Sequence, residues 1–208
     1  MKVGTIVDGQ AEVFAVQNLF RNIPIPNVQL LKPLYADMQP RATPHQIARA
    51  ARGTCTILRA KSVDLIVVLI DHEDRDGCPS VFAGSLRIAF ADLGIVGVEV
   101  VVKHRKLENW LVGDPDSLQA KMMARMKITS AFKRAVVPNK ADRVDDAVAL
   151  LNSACVKQDY HKRSDAQAIA RAISPNVVAS NSRSFRRFLR IIGHSSYATQ
   201  SRLPLEIR

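Results

Sequence analysis

Val63-Asp64-Leu65-Ile66-Val67-Val68-Leu69-Ile70 runs directly into Asp71-His72-Glu73-Asp74-Arg75-Asp76-Gly77. The first part is almost wholly β-branched or aliphatic, the pattern of a strand covered on both faces. It is strand-sized, too short to cross a bilayer. The second part places carboxylates at the carboxyl end of that strand, where open parallel sheets bind their ligands. The arrangement recurs near the N-terminus, where Val3-Gly4-Thr5-Ile6-Val7 leads into Asp8-Gly9-Gln10-Ala11-Glu12.

Outward from these two stretches, strands alternate with helices. Ala11–Ile23 carries a helical apolar pattern, with Val13, Val16 and Phe20 on one side, and Pro24 and Pro26 stop it. Leu30–Tyr35 reads as a short strand. Thr43-Pro44-His45-Gln46 is a helix start, with Thr43 as cap and Pro44 in the first turn. That helix is expected to run to about Lys61. Pro79 opens another, reaching about Leu93 before Gly94 and Gly97 break it. Val98–Lys103 is the next strand, Leu107–Val112 a short helix, and Pro115-Asp116-Ser117 begins one more. This order predicts an α/β fold with a mostly parallel, doubly wound sheet flanked by helices. Beyond about Lys127 the pattern is helical, with helices expected over Ala141–Leu151, Asp165–Ile173 and Ser182–Ile192. The tail from Gly193 has little periodicity and is expected to be flexible.

The 208 residues suffice for a substantial α/β core. No signal-peptide pattern precedes the first strand and no apolar run is membrane-sized, so a cytoplasmic protein is expected. Cys55, Cys78 and Cys155 are widely spaced, which indicates neither a zinc site nor a disulfide framework. Cys78 reads as a small filler at a loop–helix junction. The formal charge of +11 favours a polyanionic partner such as nucleic acid, although many soluble proteins are basic.

Asp8 and Asp71 fall at strand ends, so neighbouring strands would bring them into one crevice. Glu12, four residues after Asp8, points to the same side. Such carboxylates are hard oxygen ligands suited to Mg2+ or Mn2+. Without a cation their repulsion would force some to take up a proton. Acidic residues after strands also serve as turn formers and caps, and for Asp74 and Asp76 that role is as plausible as a ligand role. Glu108 follows the strand Val98–Lys103 and is a further acidic candidate, or else a helix-start glutamate. Trp110 is read as core.

The basic residues supply a complementary reading. Arg183, Arg187 and Arg190 share one face of the last helix, and Phe185, Phe188, Leu189 and Ile192 line the other. Arg186 belongs to the same basic run. Guanidinium groups suit phosphate because their planar fork donates in pairs. A merely solvated face is the competing reading. Lys162 adds charge nearby in sequence. Lys103, His104, Arg105 and Lys106 precede Glu108, and one of them could neutralise transition-state charge. His72 and His104 lack a partner at ligand spacing.

The same residues carry a family resemblance. Asp8-Gly9-Gln10-Ala11-Glu12 resembles the strand-E-G-x-x-E start of toprim domains in overcoming-lysogenization-defect nucleases, and Asp71-His72-Glu73 resembles their D-x-D motif. The full pattern is closer to a small bacterial toprim-like family catalogued as a domain of unknown function of the DUF4276 type. Its motifs read here as Asp71 to Cys78, Leu107-Glu108-Asn109-Trp110, Tyr160-His161-Lys162 and Ser184-Phe185-Arg186-Arg187-Phe188-Leu189. The resemblance implies a toprim-like α/β domain over 1–126, with a helical extension over 127–208 packed on it. It also implies a magnesium-binding acidic centre and a separate ATPase subunit in an anti-phage defence system. Asp8 replaces the family glutamate, and Glu73 replaces the second aspartate of D-x-D.

Three expectations follow. The first is an Mg2+- or Mn2+-dependent nuclease in which Glu12, Asp71 and Glu73 are catalytic. Asp8, Glu12, Asp71, Glu73, Asp74 and Glu108 would be its metal ligands. Lys103, Arg105, Lys106, Lys162, Arg183, Arg187 and Arg190 would contact nucleic acid. The second is a non-catalytic binding or regulatory subunit of an ATPase complex. A Rossmann-like nucleotide enzyme is the weaker third, because Gly9 stands without a glycine-rich loop. A homo-oligomer is compatible with all three.

Overall fold

The computed structural model describes residues 1–73 and 75–198, so Asp74 and the chain beyond Ala198 lie outside the described residues. β1 (Lys2–Val7) and β4 (Leu65–Asp71) run side by side in parallel, with Val3 opposite Leu65 and Val7 opposite Leu69. β5 (Val98–Lys103) adds to the other side of β4 and sets Lys103 opposite Asp71. β2 (Gln29–Leu30) and β3 (Leu34–Tyr35) pair with opposite ends of β1. Every ladder of this sheet is parallel. The single strand expected over Leu30–Tyr35 is therefore two short ones. Pro33, between them, has no N–H to give to a ladder.

Side chains alternate across the sheet with the two-residue period of a strand. Ile6, Val68, Ile70, Val100 and Val102 face α2 (Pro44–Ala60) and α3 (Pro79–Asp92). The expected cap is present, with Thr43 and Gln46 bonding reciprocally in a capping box. Gly4 lets α2 approach closely, since a Cβ there would stand 2.8 Å from a Leu58 methyl. Val3, Val7, Val67, Leu69 and Val101 face the opposite layer, headed by α1 (Gln10–Arg21).

That opposite layer is completed from the C-terminal part. It comprises α4 (Leu107–Leu111), α5 (Pro115–Lys121), α6 (Ser130–Val136), α7 (Ala147–Ala154), α8 (Ser164–Ala172), α9 (Pro175–Asn181) and α10 (Arg183–Ile191). α8 packs along α1, and α10 packs against β5, the edge strand. Trp110 is fully buried, stacks on Phe188 at 5.8 Å and meets Phe185 edge-on at 5.0 Å. Its indole N–H donates to Ser184 Oγ at 2.7 Å, which satisfies the buried donor. Phe188 also stacks on Phe20, so α1, α4 and α10 share one core.

Several expectations change. Ala141–Leu151 is a short 3-10 turn, Ala141–Arg143, followed by α7. Asp146 caps α7 through Ala149 N–H at 2.9 Å, so a new helix starts there. α6 and α9 fall outside the helices expected from the sequence. The chain after Gly193 is ordered as far as it is described, because Tyr197 is buried in a 3-10 turn over Ser195–Tyr197. Arg186 turns inward and donates to Ala179 O at 2.5 Å and Asn139 Oδ1 at 3.1 Å. No helix among the described residues is long and apolar enough to cross a membrane.

Candidate metal centre

Three elements deliver three carboxylates to one point. Asp8 stands just beyond β1, Glu12 one turn later in α1, and Asp71 at the end of β4. Each offers an oxygen, and these oxygens lie within 4.8 Å of one another. Asp71 N–H donates to Asp8 Oδ2 at 2.7 Å, which locks the two strand ends together. Gly9 leaves room for Glu12, because a Cβ there would stand 3.0 Å from Glu12 Cγ.

Lys103 fills the middle of this group. It ends β5 opposite Asp71 and is fully buried. Its Nζ lies 3.0 Å from Asp8 Oδ1, 2.5 Å from Glu12 Oε2 and 2.9 Å from Asp71 Oδ1. The contact with Asp71 is an ion pair outside hydrogen-bond geometry. The expected role of Lys103 as a nucleic-acid contact is therefore corrected. Strand alternation turns it inward with Val101, while Val102 faces the other layer.

One ammonium shared by three carboxylates leaves negative charge uncompensated. Burial pushes Glu12 well above the usual carboxylate range, and Lys103 offsets this only in part. Burial likewise pushes Asp71 up to about 7 against the pull of Lys103, with the Asp8 charge adding to the rise. Burial also disfavours the Asp8 carboxylate, but Lys103 and the Asp71 N–H outweigh it and hold Asp8 low. For Lys103, burial alone would favour the neutral amine. The three carboxylates reverse that and hold it well above its ordinary value. The cluster thus retains protons at neutral pH that the unfolded chain would release, the uptake expected of crowded carboxylates without a cation.

A second tier surrounds the triad. Glu108 is fully buried and accepts from Tyr160 OH at 3.2 Å, while its Oε2 has no hydrogen-bond partner. Lys162 Nζ stands 3.9 Å from Glu108 Oε1, half exposed. Burial works against the Lys162 charge, but Glu108, Glu12 and Asp71 raise its pKa. Burial and then the Glu108 charge push the Tyr160 phenol well up.

Other expected site residues do not join the triad. Glu73 is corrected, because the chain leaves strand geometry there at φ 47° and Glu73 is absent from the converging group. Its N–H instead donates to Arg105 O at 2.9 Å. Glu108 stands beside the triad, outside the group of converging oxygens. Arg105 pairs with Asp145 at 2.6 Å, and Lys106 is exposed at the start of α4. Arg183 is exposed, and Arg187 and Arg190 are half-buried on α10. His72 and His104 stack at 6.2 Å, and neither joins a ligand-spaced group among the described residues. Cys78 is exposed at the start of α3, which corrects its reading as a filler. Sequence reasoning missed the central position of Lys103. The signal available was a lone amine ending the strand directly after Val100-Val101-Val102.

The donor set fits a divalent cation. All the ligand atoms are hard oxygens, Asp71 Oδ1 and Glu108 Oε2 lack hydrogen-bond partners, and four carboxylates face two ammonium groups. The fit requires the Lys103 ammonium to yield its central place. A family model matches residues 9–192, and the chain belongs to that family, described as Domain of unknown function (DUF4276). No curated protein and no solved structure was found to match it.

Proposed function

We propose that the protein is a toprim-type nuclease that hydrolyses phosphodiester bonds of DNA or RNA with Mg2+ or Mn2+. The observation that carries this reading is the convergence of Asp8, Glu12 and Asp71 at the carboxyl end of a parallel sheet, around a buried lysine. These three residues would hold the ion, with Glu108 in support. The ion, when bound, would supply a water acidified enough to attack phosphorus and a Lewis acid for the leaving oxygen.

The chain's own groups have separate tasks. Lys103 keeps the carboxylates gathered when no ion is present. Glu108 Oε2, buried and unpartnered, is placed to accept a proton, and Tyr160 orients it through Oε1. Lys162, half exposed beside Glu108, marks the side from which a phosphate backbone would approach. The toprim resemblance extends the proposal to a separate ATPase subunit and a role in anti-phage defence.

Incubation with DNA and with RNA in Mg2+, Mn2+ or chelator tests the reading. Cleavage that needs metal and disappears in Glu12→Ala/Asp71→Ala supports it. Equal cleavage by that double variant contradicts it.

One observation favours a second reading. Lys103 already gives the triad a cation inside the fold. A permanent lysine would make the centre structural and the protein a non-catalytic binding or regulatory subunit of an ATPase complex. No cleavage with any metal, together with a stable complex with the ATPase, distinguishes it.

A further inference from the structure

A cavity of about 350 Å3 opens between the N-terminus of α3 and the side of α10. Val102 and His104 supply its floor at the end of β5, on the sheet face opposite Lys103. Arg183 and Arg187, one helical turn apart on α10, line one wall. Neither donates a hydrogen bond to, or pairs with a carboxylate of, any described residue. The carboxylate in the wall, Asp142, is engaged elsewhere. It accepts from Ser182 Oγ at 2.7 Å, Ser184 N–H at 2.7 Å and Ser184 Oγ at 3.0 Å. Two guanidinium groups therefore face a concave space with no carboxylate at ion-pair distance among the described residues; Glu99, the acidic group that acts on Arg187, pairs with Arg87 at 3.5 Å.

The opposite wall adds to the same field. α3 is a 14-residue helix whose first turn holds Pro79 and no acidic residue, and no side-chain oxygen caps it; Val81 and Phe82 N–H donate to Cys78 O, so the helix dipole and Ser80 are what this end offers a ligand. Ser80 contributes a hydroxyl to the cavity, and His104 Nδ1 has no partner. Ala83 and Val102 leave an apolar patch beside these donors. We propose that this cavity binds the phosphate monoester of a ligand of mononucleotide size. The arginines and the α3 N-terminus would take the phosphate, and the apolar patch would take the body of the ligand. The volume exceeds what a bare phosphate needs and falls at the lower end of small-molecule pockets. The site goes beyond the nuclease reading and does not rest on it.

Cys78 gives a direct readout. Its thiol lies 3.0 Å from Ser80 Oγ at the cavity mouth. Hydrogen bonds from Ser80 and the backbone N–H groups of Ser80 and Val81, with the Arg183 charge, lower its pKa. Burial pushes Cys55 up to about 11 and raises Cys155 as well. Alkylation near neutral pH should therefore fall on Cys78.

The test measures the rate of Cys78 alkylation by iodoacetamide on the whole chain, without divalent metal. The probes are AMP, ribose 5-phosphate, inorganic phosphate and adenosine. AMP and ribose 5-phosphate should slow labelling saturably, phosphate should do so more weakly, and adenosine should not. Arg183→Gln and Arg187→Gln should each weaken AMP protection about tenfold, and Arg49→Gln, on exposed α2, should leave it unchanged. Protection by inorganic phosphate alone, without AMP or ribose 5-phosphate, would reduce the site to a bare anion hole and overturn the proposal. Protection by adenosine, unaltered protection in both arginine variants, or no protection by any probe would also overturn it. Because no metal is present, failure here leaves the cleavage assay to be judged separately.

Discussion

The two charged regions at the carboxyl end of the sheet are opposites in more than sign. In the acidic centre the charges face one another inside the fold, with Lys103 touching three carboxylates and Asp71 N–H bonding to Asp8. In the cavity beside α10 the charges face open space, and the neighbouring carboxylate of Asp142 is occupied by other donors. A cluster that satisfies itself contributes to stability and must be opened to act. A cluster left unsatisfied contributes little to stability and awaits a ligand.

That contrast predicts unequal responses to substitution. Lys103→Met should have the largest effect, because it leaves three buried carboxylates without a cation. Metal-free urea unfolding at pH 7 should show a loss of about 3–5 kcal/mol, part of it recovered with Mn2+. A fully stable Lys103→Met would mean that the carboxylates are not charged as described.

The pH profile comes next. Asp71 is raised from 3.8 to about 7 in the folded chain. Between those values the native state keeps a proton that the unfolded state has released. Stability therefore falls as pH rises through that window, by up to about 4 kcal/mol. Glu12, also raised, acts in the same direction. Asp8, held low, acts oppositely, and its contribution is lost only as pH falls below the ordinary aspartate range. Metal-free Tm should thus decline from pH 5 to pH 8, and saturating Mn2+ should flatten the decline.

Smaller effects mark the other region. Arg187→Gln should change stability by less than about 1 kcal/mol, because it removes no internal pair and relieves crowding with Arg190. The exposed Lys133–Asp116 pair, although only 2.5 Å long, should contribute less than about 1 kcal/mol in a double-mutant cycle. A surface pair as costly to break as Lys103 would erase the distinction between the regions.

The sequence made one half of the centre readable and hid the other. Asp8, Glu12 and Asp71 stood out because each follows an apolar run or falls one helical turn after it. β5 was placed correctly over Val98–Lys103, yet its register against β4 was not available, and only that register sets Lys103 opposite Asp71. The last helix was legible as amphipathic, but the inward turn of Arg186 depends on carbonyl and amide partners at Ala179 and Asn139 in other segments. Glu73 was expected from the likeness of Asp71-His72-Glu73 to a D-x-D motif, which carries no information on the backbone turn at Glu73, where φ is 47°. The cavity required α3 and α10, far apart in sequence, to meet at the edge strand.

The most direct measurement is anomalous scattering from a crystal soaked in manganese. The expected result is a peak about 2 Å from oxygens of Asp8, Glu12 and Asp71, with the Lys103 ammonium withdrawn from among them. No peak, with Lys103 still seated between the three carboxylates at saturating manganese, would contradict a metal centre.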